Sequence, residues 1–239
     1  MGDESMRSGR DDGLEADAMA GYSLILFDLD GTLTDPKVGI TKSVQYALAK
    51  LGIDPPGSEE LTSFIGPPLH VTFAERYRLD PAAVSQAIAY YREYFAARGM
   101  YENHVYDGVP ALLEELSRAA RRLVVATSKP TVFAESILEH FGIRAVFDYV
   151  VGSHLDGTRS AKTDVIAEAL RRYPDIRDRV MVGDRAHDVV GAKNNRIDSI
   201  GVSYGYGSRA ELVEANPTYL VDTVAEIGRL VRGAPGKMG

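Results

Sequence analysis

A chain of 239 residues with 45% hydrophobic and 26% charged residues has the apolar material for a sizeable core and holds one large domain or two small ones. Its formal net charge of −7 leaves no broad basic excess, which argues against nucleic acid as a general partner but allows a small anionic substrate that needs only a few local cations. There is no cysteine, so disulfides and thiolate metal sites are excluded, and no apolar run approaches the length of a membrane span.

Residues 1–21 are polar, acidic and glycine-containing, without a signal-peptide apolar segment. They read as a flexible tail, and the cytoplasm is the expected location. The first predicted strand is Leu24-Ile25-Leu26-Phe27, ended by Asp28 to Gly31. An apolar run without polar alternation suggests a strand covered on both faces, as in a parallel sheet.

The next stretch contains no strand-like run. Ile40, Val44, Leu48 and Leu51 have helical spacing and stop at Gly52. A short helix is predicted from about Pro67-Pro68 to Tyr77. A longer one, with Val84, Ile88, Tyr91 and Phe95 on one face, begins after Asp80-Pro81 and ends at Gly99. Asp80 as N-cap and Pro81 in the first turn are the expected punctuation. Residues 37–101 therefore read as an all-helical insertion.

Beyond it, strand-like runs recur at Leu123 to Ala126, Tyr149 to Val151, Val180 to Val182 and Ile200 to Val202, with Tyr219 to Val221 as an edge strand. Helical faces lie between them: Val109, Leu112, Leu113 and Leu116; then Val132, Phe133, Ile137 and Phe141; then Val165, Ile166, Ala169 and Leu170. Strands alternating with helices predict an α/β fold, a doubly wound parallel sheet. Residues 22–36 and 102–239 form this core, interrupted by the helical insertion.

The polar residues beyond these runs carry the chemistry. Ligands of open α/β sheets bind at the carboxyl ends of the strands. Asp28 and Asp30 end the first strand, where alternation places them on one side. Asp28 can attack phosphorus while Asp30 handles the proton of the leaving oxygen, one carboxylate ionised and its neighbour protonated. Gly31 and Thr32 allow a tight turn whose N–H groups can hold phosphate oxygens, although Asp-Gly also serves simply as a turn. Thr127 and Ser128 can offer hydroxyls to phosphate or cap a helix before Pro130. Lys129 can touch the substrate or be solvated.

Lys162, opening a helix, can pair with Asp28 and the phosphoryl group, or lie exposed as most lysines do. Arg159 is its fallback. Asp184 and Asp188, four apart at a strand end and helix start, suit a hard cation such as Mg²⁺, or else a cap and a solvated acid. His187, between them, is expected to face away or to cap locally. On the insertion, Arg76, Tyr77 and Arg92 are the candidates to touch substrate.

Taken together, Phe27-Asp-Leu-Asp-Gly-Thr-Leu-Thr-Asp35, Ala126-Thr-Ser-Lys-Pro130, Lys162 and Val182-Gly-Asp-Arg-Ala-His-Asp188 resemble a haloacid dehalogenase-superfamily phosphatase over about residues 22–232. The resemblance is closest to the phosphoglycolate phosphatase-like branch with a helical cap. It implies Asp28 as nucleophile and metal ligand, and Asp30 as general acid/base giving the metal its backbone carbonyl. It further implies Thr127 as the phosphate-binding hydroxyl, Lys162 as the charge-neutralising lysine, Asp184 as the main distal ligand of Mg²⁺ and Asp188 as its support. The family's lysine is often followed by proline; here Thr163 follows.

The implied activity is Mg²⁺-dependent hydrolysis of a small-molecule phosphate ester, phosphoglycolate or a nucleoside 5′-monophosphate, without nucleic acid or membrane as partner. A phosphomutase would use the same residues. A receiver domain would carry its acidic pair early rather than late, and a dehalogenase would need neither Asp30 nor Asp184.

Overall fold

The computed structural model describes residues 21–233. The tail expected over 1–21 lies outside the described residues but for its last position. Six parallel strands form the main sheet: β1 (Leu24–Phe27), β4 (Arg122–Pro130), β5 (Tyr149–Ser153), β6 (Arg179–Gly183), β7 (Asp198–Val202) and β8 (Tyr219–Val221). Their order is β5-β4-β1-β6-β7-β8. The chain thus runs outward from β1 to one edge, then crosses back over β1 and builds toward the other. The crevice at this change of direction lies at the ends of β4, β1 and β6, where ligands of such sheets bind.

The unbroken apolar runs are explained by cover on both faces. In β1, Ile25 and Phe27 join one core cluster and Leu24 and Leu26 the other. The first cluster contains buried residues of α4 (Val109–Arg118), α5 (Thr131–His140) and α9 (Val224–Arg232). The second is closed by Val165, Ile166 and Ala169 of α6 (Lys162–Arg171) and Ala192 of α7 (Ala186–Asn194). A last helix of the core, α8 (Arg209–Ala215), packs on α7.

A two-residue ribbon was not legible in the sequence: β2 (Thr34–Asp35) pairs antiparallel with β3 (His104–Val105). Between these strands lies the helical insertion, with α1 (Lys37–Lys50), a 3₁₀ segment at Ser58–Phe64, α2 (Leu69–Tyr77) and α3 (Pro81–Tyr94). The Asp80 carboxylate caps α3 by accepting from the Ala83 N–H, and Pro81 opens the helix. The helix then widens into one π turn at Phe95–Gly99. Ribbon and insertion leave the core directly beside the carboxyl end of β1.

One predicted face is corrected. On α5 the buried residues are Ala134, Ile137 and Leu138, while Val132 is exposed. Phe133 is half-buried because it meets Phe95 of the insertion edge to face, at a centroid distance of 5.3 Å.

Candidate active site

Asp28 follows β1, and its N–H donates to Val182 O of β6 at 2.9 Å, so it is fixed between two strands. Asp184 follows β6. Asp188 stands at the third position of α7, and its carboxylate accepts from the Arg185 N–H at 3.1 Å, capping that helix. Lys162 opens α6. These four side chains come from separate segments and meet below the surface, at 4%, 1%, 1% and 6% exposure for Asp28, Asp184, Asp188 and Lys162. Lys162 Nζ lies 2.8 Å from Asp28 Oδ1 and 2.8 Å from Asp188 Oδ1, and donates to Ala126 O at 3.1 Å.

One oxygen from each of Asp28, Asp184 and Asp188 lies within 4.8 Å of the others, the group of acids among the described residues that could hold a metal ion. Three carboxylates face one ammonium, so the cluster carries excess negative charge in a place that water cannot screen. Burial, with the charges of Asp188 and Asp28 adding to it, raises Asp184 to about 8. Asp188 is raised to about 6 by burial, against the pull of Lys162. Asp28 Oδ1 and Asp188 Oδ1 are buried and in charge contact with Lys162, yet accept no well-directed hydrogen bond. A hard divalent cation with oxygen preference fits this donor set.

Two glycines make room for Asp184. Gly31 has φ +82°, and a Cβ there would sit 2.3 Å from Asp184 Oδ2. A Cβ on Gly205, in the loop after β7, would sit 2.5 Å from the same oxygen. That loop then holds the carboxylate: the Tyr206 N–H donates to Asp184 Oδ2 at 2.7 Å.

The role expected of the Gly31-Thr32 backbone is corrected. The Gly31 N–H donates to Thr34 O at 2.7 Å and the Thr32 N–H to Leu29 O at 3.3 Å, so both donors are spent closing the turn. Thr32 Oγ1 donates to Asp184 Oδ1 at 3.3 Å. These residues orient the acid rather than offering N–H groups to phosphate.

Asp30 and Asp28 take different partners, because strand alternation ends at Phe27. The Asp30 carboxylate pairs with Lys129 Nζ at 2.8 Å. Burial raises its pKa, with Lys129 opposing, which favours a carboxyl that can hold a proton. Lys129 is buried, not solvated, and its ammonium stands 4.4 Å above the Phe95 ring of the insertion. The sequence leaves that lysine open between substrate contact and solvent; its carboxylate partner is 99 positions away in the chain, a contact only the fold creates.

Thr127 is buried, and its Oγ1 accepts from the Lys129 N–H at 3.3 Å. Both Thr127 and Ser128 lie within β4 rather than capping a helix. Arg159 is not a substitute for Lys162: its Nε donates to Gly152 O at 2.9 Å and its guanidinium turns toward Glu168. His187 is exposed.

Asp30, Ser128 and Lys129 form the floor of a cavity of about 540 Å³ between the sheet and the insertion. Phe64, Tyr91 and Phe95 line the insertion side, and Phe133 and Leu155 the core side. Of the three side chains expected from the insertion, only Arg92 reaches this cavity. Arg76 is exposed and donates to Ser63 Oγ at 2.8 Å, and Tyr77 packs with Phe64 and Phe73.

A parallel α/β sheet with buried acids around its switch point and a helical insertion over them defines the class. The family model described as "Haloacid dehalogenase-like hydrolase" matches residues 25–202, and the chain belongs to that family. It is an enzyme, a phosphoric monoester hydrolase rather than a receiver domain. A 5′-nucleotidase of Pseudomonas aeruginosa is 47% identical over 216 residues, 90% of this chain and 98% of the relative. Tyrosine-protein kinase PtkA of Mycobacterium tuberculosis is 42% identical over 87% of this chain and 70% of its own length. The crystal structure of a predicted phosphatase from Clostridium acetobutylicum superposes with a TM-score of 0.84 at 51% identity, covering 87% of this chain and 97% of that one. No helix among the described residues is long and apolar enough to cross a membrane.

Proposed function

We propose that this enzyme is a Mg²⁺-dependent phosphatase of small phosphomonoesters, nucleoside 5′-monophosphates foremost, working through an aspartyl-phosphate on Asp28. The observation that carries the reading is the division of labour between neighbouring acids: Asp28 sits in a buried cluster with Asp184, Asp188 and Lys162, while Asp30 turns to the cavity floor.

In this reading Asp28 attacks phosphorus as the ester P–O bond breaks, and Asp30 gives its proton to the leaving oxygen. Asp30, now ionised, then takes a proton from water as that water attacks phosphorus. The bond from phosphorus to Asp28 breaks, releasing phosphate and restoring both acids. Lys162 holds Asp28 in place and neutralises negative charge on the transferred group. Thr127 and Ser128 face the phosphate oxygens with their hydroxyls. Asp28, Asp184 and the Asp30 carbonyl, with Asp188 in support, would hold Mg²⁺, which would supply charge neutralisation at the phosphoryl oxygens.

The nucleotide preference draws support from the 5′-nucleotidase relative and from the cavity, whose roughly 540 Å³ and aromatic walls exceed what a two-carbon phosphate needs. Residues 37–101 act in this reading as a cap that excludes bulk water.

The test is phosphate release from nucleoside 5′-monophosphates with Mg²⁺ or EDTA, in the wild type and Asp28→Asn. The substitution keeps shape and removes the attacking charge, so turnover is expected to fall by several orders of magnitude. Beryllium fluoride is expected to mark Asp28. Full turnover in EDTA, or near-normal turnover in Asp28→Asn, overturns the proposal.

A further inference from the structure

Among the arginine, lysine and aspartate side chains on the cavity wall, Arg92 stands apart. Asp30 and Lys129 pair with each other, and Asp156 accepts from Thr158. Arg92 has no ion pair, hydrogen bond or ring contact among the described residues, yet it is half-buried on α3. An exposed arginine in that state needs no explanation, since water satisfies it. A half-buried guanidinium loses part of its hydration, keeps five donors in a fixed fork and cannot shed its charge. Partial burial pulls its pKa down, and no carboxylate counters this. The unmet requirement is for an oxygen acceptor that enters with the ligand.

Its position says which part of a ligand would bring that acceptor. The phosphate end of the cavity is the Asp30 and Lys129 floor, on the functional reading above, from which this inference starts. Arg92 belongs to the insertion side, one helical turn before Phe95, whose ring stands over the Lys129 ammonium of the floor, so the path from the floor to Arg92 passes Phe95. A leaving group that spans this path has an apolar or planar body and an oxygen beyond it. We propose that Arg92 is the specificity-determining residue of the cavity, donating to a carbonyl or acid oxygen on the leaving group, distal to the transferred phosphoryl group. A ring carbonyl of a nucleobase and the carboxylate of a small phosphorylated acid both supply such an oxygen.

Two matched substrate pairs separate these sources. Inosine 5′-monophosphate differs from purine riboside 5′-monophosphate by the ring oxygen, and phosphoglycolate differs from ethyl phosphate by the carboxylate. In the wild type the oxygen-bearing member of one pair is expected to have a kcat/KM roughly 10- to 100-fold higher, the range of a charge-assisted hydrogen bond. In Arg92→Met that ratio is expected to fall close to one, mainly through KM, while Arg92→Lys retains part of it. The pair that responds identifies the source. Equal wild-type rates within both pairs, or a ratio that survives in Arg92→Met, overturns the proposal.

Calorimetric titration of the same pairs in the Asp28→Asn background reads affinity without turnover. Absent turnover in the otherwise native enzyme would therefore count against the phosphatase reading, and equal affinities within both pairs against the role of Arg92. Should the Met variant not fold, as judged by its thermal transition, Arg92→Lys and Arg92→Gln carry the comparison.

Discussion

Lys162 Nζ contacts Asp28 Oδ1 and Asp188 Oδ1 at the same distance, 2.8 Å, so one ammonium ties the end of β1 to the first turn of α7. Burial works against its charge, but Asp188 and Asp28 outweigh that and raise its pKa. Removing a buried partner leaves the remaining charges uncompensated.

Lys162→Met is therefore expected to cost ~3–5 kcal/mol of stability at pH 7.5 without metal, by the usual cost of breaking a buried ion pair. Urea unfolding in EDTA measures this. The cost should shrink at pH 5, where Asp188 has taken up its proton. An equal loss at both pH values would show that packing, not charge, is what the lysine supplies.

The raised acids give the metal-free enzyme an inverted pH dependence. Asp184, raised to about 8, and Asp188, raised to about 6, bind protons in the folded state that ordinary carboxylates of the unfolded chain release near pH 4. Their contribution to stability is complete below about pH 4 and is lost as pH rises through about 6 and 8. Thermal melting in EDTA is expected to weaken from pH 5 to pH 8.5. Added Mg²⁺ should stabilise most at the high end, because it needs the ionised acids. A metal-free melting temperature that rises over this interval would contradict the charged cluster.

The convergence of Asp28, Lys162, Asp184 and Asp188 was legible because each stands at the end of an apolar run or at the start of the helix after one. A parallel sheet brings such positions to one edge whatever lies between them. Contacts that depend on long loops were not legible. For Lys129 the sequence leaves substrate contact and solvent equally open, until β4 carries it against Asp30 and the insertion lowers Phe95 onto it. The Tyr206 N–H reaches Asp184 only because the loop after β7 folds back over the site. The insertion's helices were plain from their spacing. Which of Arg76, Tyr77 and Arg92 faces the core was not, because spacing gives a helix its faces but not its neighbours.

Asp30 offers a leaving-group test. Its raised pKa and its place on the cavity floor suit a proton donor, and only a poor leaving group needs that proton in the transition state. Asp30→Asn is expected to slow alkyl phosphates by about 10²–10⁴-fold, the usual worth of general acid catalysis, and nitrophenyl phosphate by far less. Steady-state rates on the two esters check it. Equal losses would leave Asp30 a structural or metal-holding role.

Arg185 joins the insertion to the acid cluster. It follows Asp184 directly, and its own N–H donates to Asp188. Its guanidinium pairs with Glu211 Oε1 at 3.0 Å and reaches across to the insertion, where Nη1 donates to Ile65 O at 2.6 Å. Glu211 in turn accepts from the Ala186 N–H at 2.8 Å, so both sides of the grip rest on the first turn of α7. A hydrogen bond from a charged donor contributes about 1.5–3 kcal/mol net. Arg185→Met is expected to loosen the insertion first: amide exchange over residues 58–68 should accelerate while that of β1 and β6 stays slow. Loosening the loop that carries Asp184 and Asp188 should also weaken Mg²⁺ binding, measured by calorimetry in the absence of substrate. Faster exchange with unchanged Mg²⁺ affinity would make Arg185 a latch for the insertion alone. Unchanged exchange would show that the Ile65 contact does not hold the insertion in place.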